Sequence, residues 1–352
     1  MAFQDLTAAD QVTTQITTTT GFFDGGAGTL AGSSLSTSSL SSTQKNYYYN
    51  LQYNSKDHFS VSYGHIGGSG SAEQSATVRG TTQAIYKQFY NFTEAEADRL
   101  RDGIGWRMVD GTNSTNEVTQ SDCYFIVAER LQMKDRLNPG TWTMKLSGST
   151  TAGVADQIYL TDDSKTQNPL FAPFGEKYSI VSGSAGSVAV AAATKTYGFF
   201  YPDAGLFVLS GNALSSSLPG DAEYITSGST HLGGGTGLAP DVTVTDSTDN
   251  AWKIARAMEL GSMTLRSEEQ QYIYDYFCRA TVQKFNSTNN ITFWSGSQYK
   301  IRHSDMVSNP QTFISEVGLY DEQNSLIAVG RLSSALNKNF SSEAIVKVRL
   351  TY

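Results

Sequence analysis

Four histidines and two cysteines are the residues of this chain whose chemistry best suits metal binding or nucleophilic catalysis. The histidines are His58, His65, His231 and His303, and none is spaced from a cysteine or from another histidine as zinc ligands are. His58 and His65 are seven residues apart, so on one strand they would face opposite sides. We interpret all four as surface or turn residues whose hydrogen bonds are satisfied locally.

The two cysteines, Cys123 and Cys278, are far apart and both lie in apolar and aromatic runs. Free cysteine is among the residues most often buried, so this setting predicts two buried, reduced thiols. A disulfide framework would need more cysteines. We therefore expect the chain to be made in a reducing cytoplasm.

Neighbouring carboxylates occur at Asp162-Asp163 and at Glu268-Glu269, and such pairs can serve acid–base chemistry. Both pairs lie in polar segments, where we expect them to be solvated. A carboxylate pair for sugar hydrolysis stays possible, because its members need not be close in sequence. The glycine-rich residues 67–71 and 233–237 lack the context of a phosphate loop, and no nucleophile elbow occurs. We predict a protein that is not an enzyme, with no catalytic or metal-binding residues and no cofactor.

Composition points towards contacts with other proteins. Charged residues make up 16% of the chain, against roughly 25% in typical proteins, while there are 19 tyrosines and 17 phenylalanines. Tyrosine suits wide polar interfaces because its ring packs while its hydroxyl forms hydrogen bonds. The net charge of −8 argues against a nucleic-acid partner. No long apolar stretch predicts a membrane span, and residues 1–20 do not resemble a signal peptide.

The elements that would position these side chains are mostly short strands. We predict a mainly β fold, with a β-sandwich-like body, a few short helices and an extended N-terminal arm. Helices are expected from Thr82 to Tyr90, from a capping box at Thr93, and over 250–260. Strands are expected at 47–53, 58–65, 123–130, 141–146, 157–160, 177–181, 187–192, 196–201, 206–209 and 291–294. Residues 271–285 suit either a helix or a strand, and we favour a strand from about 274.

The C-terminal residues give the clearest pattern. Two apolar runs, 313–320 and 326–332, flank a short polar turn and predict a hairpin. The final residues, 344–352, alternate between apolar side chains and a face with Lys347 and Arg349. This alternation predicts a last strand with one buried face and one wet, basic face.

Four segments follow from composition: an arm over 1–45 rich in serine and threonine, a β-rich domain with short helices over 46–210, a loop-rich insertion over 211–260, and a C-terminal β segment over 261–352 that completes the body. The arm cannot build a core alone, so it is either a disordered tail or an arm ordered on a neighbouring subunit. For the second alternative, the expected interface residues are Phe22, Phe23, Leu30, Leu35, Leu40, Tyr47, Tyr48 and Tyr49.

Several stretches resemble virion structural proteins of contractile-tailed bacteriophages, especially those of phages that infect cyanobacteria. The likeness is carried by residues 301–320, 326–332 and 344–352, by Lys134-Asp-Arg-Leu-Asn-Pro-Gly-Thr-Trp142, and by residues 63–70, 82–90 and 197–206. It covers about residues 45–352, and the arm has no counterpart. These motifs are turns and strands, and they imply no active site.

The resemblance implies a structural tail component, most specifically of the baseplate or its wedges. Its partners would be other tail or baseplate proteins and further copies of itself, and it would be assembled in the host cytoplasm into the virion. An alternative is a receptor- or glycan-binding fibre or adaptor module, in which Trp106 and Trp294 could stack on sugars. A wall-degrading enzyme would need convergent carboxylates or a zinc site.

Overall fold

The computed structural model describes residues 4–23, 29–31, 35–37, 47–70, 80–94, 105–109, 117–149, 155–215, 217–218, 238, 240, 247–286, 288, 290–296 and 300–351. Strands dominate and large antiparallel sheets form the body, so the expected mainly β fold is confirmed. The chain divides into two compact units. We call Thr19–Glu269 the core unit, and Met1–Thr18 with Gln270–Tyr352 the terminal unit. These units differ from the four segments expected from composition, because the start of the arm joins the end of the chain.

Most strands of the core unit form one antiparallel sheet. Its strands are β2 (Thr29–Ala31), β3 (Leu35–Thr37), β4 (Tyr48–Tyr53), β5 (Lys56–His65), β8 (Asp122–Ala128), β10 (Thr143–Ser149), β11 (Ala155–Asp162), β12 (Leu170–Ala172), β13 (Gly175–Ser184), β14 (Ser187–Val188), β15 (Gly198–Tyr201), β16 (Leu206–Ser210) and β17 (Ser262–Thr264). They run in the order β2-β17-β10-β11-β13-β15-β16-β8-β5-β4-β3, with β12 and β14 also paired to β13. The short β6 (Arg107–Met108) and β7 (Val118–Thr119) pair with each other.

The centre of this sheet, around β8, is buried on both faces. Along β8, Tyr124 and Ile126 belong to one apolar cluster, whereas Cys123 and Phe125 belong to the other. Successive side chains of a strand point to opposite faces, so this division follows directly from the alternation. A strand covered on both sides needs an uninterrupted apolar sequence, and the residues from Cys123 to Ile126 are all fully buried.

Three described helices cover the sheet or extend it: α1 (Thr81–Thr93), α2 (Gly211–Ser215) and α3 (Ser247–Glu259). α1 packs on β5 at Gly64, where a Cβ atom would lie 2.9 Å from the backbone nitrogen of Tyr86. Ile85 and Tyr86 of α1 join one apolar cluster, and Ile254 and Met258 of α3 join the other. The helices expected near residues 82–90 and 250–260 are therefore confirmed.

Three further strand groups lie wholly or partly in the terminal unit. β1 (Gln11–Phe22), β18 (Arg266–Ala280) and β23 (Ala344–Thr351) form a sheet in the order β1-β18-β23. Residues 19–22 of β1 and 266–269 of β18 belong to the core unit, where Ser267 and Glu268 pair with β9 (Arg136–Leu137). β21 (Thr312–Tyr320) and β22 (Leu326–Lys338) form a two-stranded hairpin. β19 (Trp294–Ser295) and β20 (Lys300–Ile301) form a short ribbon.

The predicted hairpin and the predicted last strand are confirmed, but some boundaries were wrong. β22 runs on to Lys338, six residues beyond the end of the expected apolar run at Leu332. The strand expected at 291–294 is a turn that becomes a strand only at Trp294. Thr93 ends α1 rather than opening a second helix, and the rest of that expected helix lies outside the described residues.

Candidate assembly interface

The terminal unit has almost no apolar interior in the part of the chain that the structure describes. Its buried hydrophobic residues there are Ala280, Phe293, Leu319 and Ala344. Both large apolar clusters consist of core-unit residues. The strands of the terminal unit are therefore not held by a core of the kind that fixes the large sheet.

Large apolar side chains are instead exposed along its strands and turns. Ile327 and Val329 each keep 57% of their surface exposed, near the start of the 13-residue strand β22. The other exposed large apolar residues on β21, β22, β23 and the turn before β23 are Phe313, Leu326, Leu336, Phe340 and Ile345. Contiguous exposed apolar surface on a folded protein commonly marks a site of protein–protein contact.

The hairpin β21–β22 presents one face to solvent. Gly318 lies opposite Val329, and Tyr320 lies opposite Leu326. Directly opposed residues of an antiparallel pair share a face, so these four residues form one surface, which we call the outer face. A Cβ atom on Gly318 would lie 3.0 Å from the Tyr320 ring and 3.4 Å from Leu326, so the three residues are contiguous.

An ion pair borders the apolar part of the outer face. Arg331 lies opposite Glu316, and its Nε donates to Glu316 Oε1 at 2.8 Å. Beyond this pair the register shifts, because Ile314 pairs with Leu336 and four residues of β22 therefore face one residue of β21. Such a bulge bends a strand and ends regular pairing. The outer face is thus a short surface bounded by the bulge.

The opposite face of the hairpin is partly covered within the terminal unit. Leu319 is buried, while Val317 and Ala328 are half-buried. A Cβ atom on Gly330 would meet Val348 of β23 at 4.0 Å, so β22 lies against that strand. An isolated two-stranded hairpin is only marginally stable in water. Because just one face of this hairpin packs within the terminal unit, its outer face is available for contact with a partner.

The expected wet, basic face of β23 is confirmed, and its charges are largely neutralised. Asp275 of β18 accepts from Arg349 at 2.8 Å and lies 2.8 Å from Lys347 Nζ. The hydrogen bond from Arg349, followed by that from Lys347, holds the pKa of Asp275 well below its usual range. One carboxylate therefore serves two cations on this surface.

A buried lysine fixes the end of the hairpin. Lys338 has no exposed surface, and its Nζ donates to Asn286 Oδ1 at 2.7 Å and to the carbonyl oxygens of Asn339 at 2.7 Å and Val282 at 3.2 Å. Three donors meet three acceptors, which is how a buried ammonium avoids a large desolvation penalty. This lysine attaches β22 to the turn that follows β18.

Several of the interface residues expected in the arm are buried in the interior of their own chain. Phe23, Leu30 and Leu35 are buried in the core unit, where Phe23 stacks on Phe59 with ring centroids 5.4 Å apart. Tyr49 is buried, and Tyr47 and Tyr48 are half-buried. The side chain of Phe22 and the whole of Leu40 lie outside the described residues. Contact between the arm and another chain stays a prediction, but Phe23, Leu30 and Leu35 are already covered by their own chain.

The expectation that the carboxylate pairs are solvated was wrong for Asp162, Asp163 and Glu268, whereas Glu269 is partly exposed and pairs with Lys134. Asp162 is fully buried, and both of its carboxylate oxygens accept from the Gly140 backbone N–H, at 2.8 and 2.9 Å. Asp163 is also buried, and it accepts from the Ser179 N–H at 3.1 Å. Burial raises the pKa of both carboxyls. Glu268 is buried beside Arg136, at 3.1 Å, so these groups hold turns and strand ends in place.

Another buried charge cluster was not foreseen. Lys177 Nζ lies 2.8 and 3.0 Å from the two carboxylate oxygens of Glu94, and the Tyr201 hydroxyl donates to the same carboxylate at 2.5 Å. Trp106 Nε1 donates to the Tyr201 oxygen at 3.2 Å. Burial, followed by the Glu94 charge, holds the pKa of Tyr201 well above its usual value. Glu94 and Lys177 are 83 residues apart, so no local sequence pattern could predict their contact.

The histidines and cysteines occupy different settings. The interpretation of His58 as a surface residue was wrong, because it is buried against the rings of Phe23 and Tyr53. His65 is the last residue of β5 and accepts from the backbone N–H groups of Gly67 and Ser69, and His303 is exposed. His231 lies outside the described residues. Cys123 and Cys278 are free, the first buried and the second half-buried.

An open pocket of about 390 Å³ lies in the core unit. Phe89, Phe92 and Phe174 line it together with Arg130 and Asp203, and the rings of Phe92 and Phe174 are 4.4 Å apart. Trp106, expected as a possible sugar platform, is buried in the core instead, and Trp294 is half-buried.

Within the described ranges, no three or more His, Cys, Asp or Glu residues are grouped so that they could hold a metal ion. None of the helices found there is both long enough and apolar enough to cross a membrane. Comparison with protein-family models, with curated proteins and with solved structures found no match.

Proposed function

We propose that this chain is a non-enzymatic structural subunit of a bacteriophage virion, located in the baseplate region of a contractile tail. It would act through contacts with other tail proteins and be assembled in the host cytoplasm. The resemblance of residues 45–352 to tail proteins suggests this class, and the exposed apolar strands of the terminal unit carry the proposal physically.

The terminal unit supports an interface function because its exposed groups are of the kind that partners cover. Ile327 and Val329 are more than half exposed on β22, so contact with another protein would remove their apolar surface from water. Burying one such side chain contributes roughly 1.5–3 kcal/mol. A subunit held permanently in a particle gains this energy on assembly, whereas a free monomer gains none of it.

The position of the chain in the particle tests this proposal. Electron cryo-microscopy of intact phage that encodes the chain should show it in the baseplate at a fixed copy number. Hydrogen exchange should give a second reading: amides of β21 and β22 should exchange faster in the isolated chain than in purified particles. Absence of the chain from washed particles would overturn the proposal.

A receptor- or glycan-binding module is the second candidate, and the phenylalanine-lined pocket is the observation that favours it. Aromatic rings with nearby charged groups can hold an apolar ligand face while polar groups orient it. Binding of host-surface glycans by the purified chain, lost in Phe92→Ala and retained in Ile327→Ala, would support this candidate over the first. No binding to any host glycan would remove it.

A further inference from the structure

The two units divide the charge of the chain very unequally. The terminal unit contains eight acidic and eight basic residues, so its formal net charge is zero. The core unit holds the remaining 25 acidic and 17 basic residues and therefore carries the entire net charge of −8. Two core units repel each other, whereas two terminal units have no net charge to oppose contact.

The outer face of the hairpin combines this neutrality with an apolar centre. Val329 and Leu326 are more than half exposed, and Gly318 leaves a flat spot opposite Val329. The exposed pair of Glu316 and Arg331 lies beside them and is neutral as a whole. A surface with one acid and one base next to an apolar patch can complement a copy of itself.

We propose that the outer face of the hairpin β21–β22 binds the same face of a second copy of this chain about a two-fold axis. In a two-fold contact the same patch serves both subunits. The apolar residues then meet at the centre, and Arg331 of each copy can pair with Glu316 of the other. This inference rests on the proposed function and deepens it, since it names one partner and the surface that binds it.

The size of the face sets the strength of the contact. With its bordering ion pair, the outer face extends from Glu316 to Tyr320 of β21, which is five residues or about 17 Å. Two strands give a strip roughly 10 Å wide, so the area is about 170 Å². Stable complexes bury about 800 Å² on each partner. The dimer is therefore weak and reversible, with a dissociation constant between about 1 µM and 1 mM. Further contacts in an assembled particle would strengthen it through high effective concentration.

Sedimentation velocity of the full chain tests the contact over micromolar to millimolar concentrations. The wild-type chain should shift reversibly from monomer to dimer. Val329→Glu should weaken dimerisation at least tenfold, because it puts a charge into the apolar centre. Leu131→Glu is the matched control: Leu131 is 89% exposed in the core unit, and the net charge changes equally. This control should leave the dimer unchanged.

A charge exchange sharpens the test and separates association from folding. Arg331→Glu puts two carboxylates on the face and should reduce dimerisation. The double variant Glu316→Arg/Arg331→Glu restores one acid and one base and should recover it. Circular dichroism and the thermal midpoint should stay close to wild type in all of these variants, since the substituted positions are exposed.

Two results would overturn the second-copy proposal. One is a wild-type chain that stays monomeric throughout the range, and the other is equal weakening by Val329→Glu and Leu131→Glu. If the monomeric chain still occurs in particles with its hairpin amides protected, another tail protein covers the face and the proposed function stands. A chain that dimerises through the face but is absent from particles would instead overturn the proposed function alone.

Discussion

The core unit and the terminal unit are built from similar strands but bury their apolar side chains differently. In the core unit, β8 is covered on both faces by apolar clusters and helices of the same chain. In the terminal unit, β22 keeps Ile327 and Val329 more than half exposed. The difference teaches that a strand-forming sequence alone does not specify a core. A strand face becomes buried only when another element packs on it, and the outer face of the hairpin has no such neighbour among the described residues.

The largest expected effect is on the packing of the core unit. Trp142 is buried, and its ring meets those of Phe200 and Phe207 with centroids 5.3 and 5.0 Å away. Trp142→Ala should lower the free energy of unfolding by about 3–5 kcal/mol, since it removes buried surface and leaves a cavity. Phe313→Ala, at a 56% exposed position of the terminal unit, should cost less than about 1 kcal/mol in the isolated chain. Denaturant unfolding measures both changes, and equal losses in the free energy of unfolding for the two variants would contradict the comparison of the units.

Ion pairs should also contribute more to stability in the core unit than in the terminal unit. Glu94→Gln leaves the buried ammonium of Lys177 without its carboxylate, which should cost about 3 kcal/mol. Glu316→Gln breaks the exposed pair with Arg331 and should cost less than about 0.5 kcal/mol. Denaturant unfolding of both variants measures the two losses in free energy of unfolding. A large loss for Glu316→Gln would show that the outer face is more rigid than its exposure indicates.

Lys338 is a residue of the terminal unit that is fully buried, as the residues of a core are. Lys338→Met removes the donor from Asn286 Oδ1 and from two carbonyl oxygens, and should cost about 2 kcal/mol. Lys347→Met is the control, because Lys347 is exposed and should change stability by less than about 0.5 kcal/mol. Hydrogen exchange of the hairpin amides should rise only in the first variant. Similar exchange in both would mean that Lys338 does not hold the hairpin.

The smallest effect is a pH dependence of opposite sign in the two units. Burial raises the pKa of Asp162 above its ordinary value of 3.8, so the folded state holds a proton that the unfolded chain has released. Stability from this group therefore increases as pH falls through the raised pKa. Wild type should accordingly gain stability over Asp162→Asn as pH falls from neutral towards that ordinary value.

The stability that Asp275 contributes should change with pH in the opposite direction. Its pKa is lowered by Arg349 and Lys347, so its contribution is present above 3.8 and is lost as pH falls through the lower folded value. The advantage of wild type over Asp275→Asn should thus shrink in strong acid. Unfolding free energies measured between neutral and strongly acidic pH distinguish the two carboxylates, and parallel curves would contradict the assigned surroundings.

Much of the secondary structure could be predicted because its signals are local. The alternation along β23, the turn between β21 and β22, and the apolar run of β8 each identify a strand without reference to the rest of the chain. The one-turn helix α2 was missed because five residues cannot show helical periodicity. The early start of β18 at Arg266 was missed because its first residues are polar.

The buried polar groups could not be predicted, since their partners are distant in sequence. Asp162 accepts from Gly140, and Glu94 meets Lys177 across 83 residues. A polar run such as that around Asp162 has the same local composition whether it is solvated or capped by a distant N–H. Composition likewise could not show that Phe23 and Leu30 of the serine- and threonine-rich arm are covered by the core unit.

The charges on β23 have a consequence for the chain when its strand edge is free. β23 is the last strand of its sheet, and an unpaired strand edge can recruit further strands into fibrils. Lys347 and Arg349 alternate along it, so antiparallel addition of another β23 near its centre would place basic residues opposite each other. Charged residues at such an edge act as gatekeepers against aggregation. The folded chain is thus protected against fibre growth from this edge.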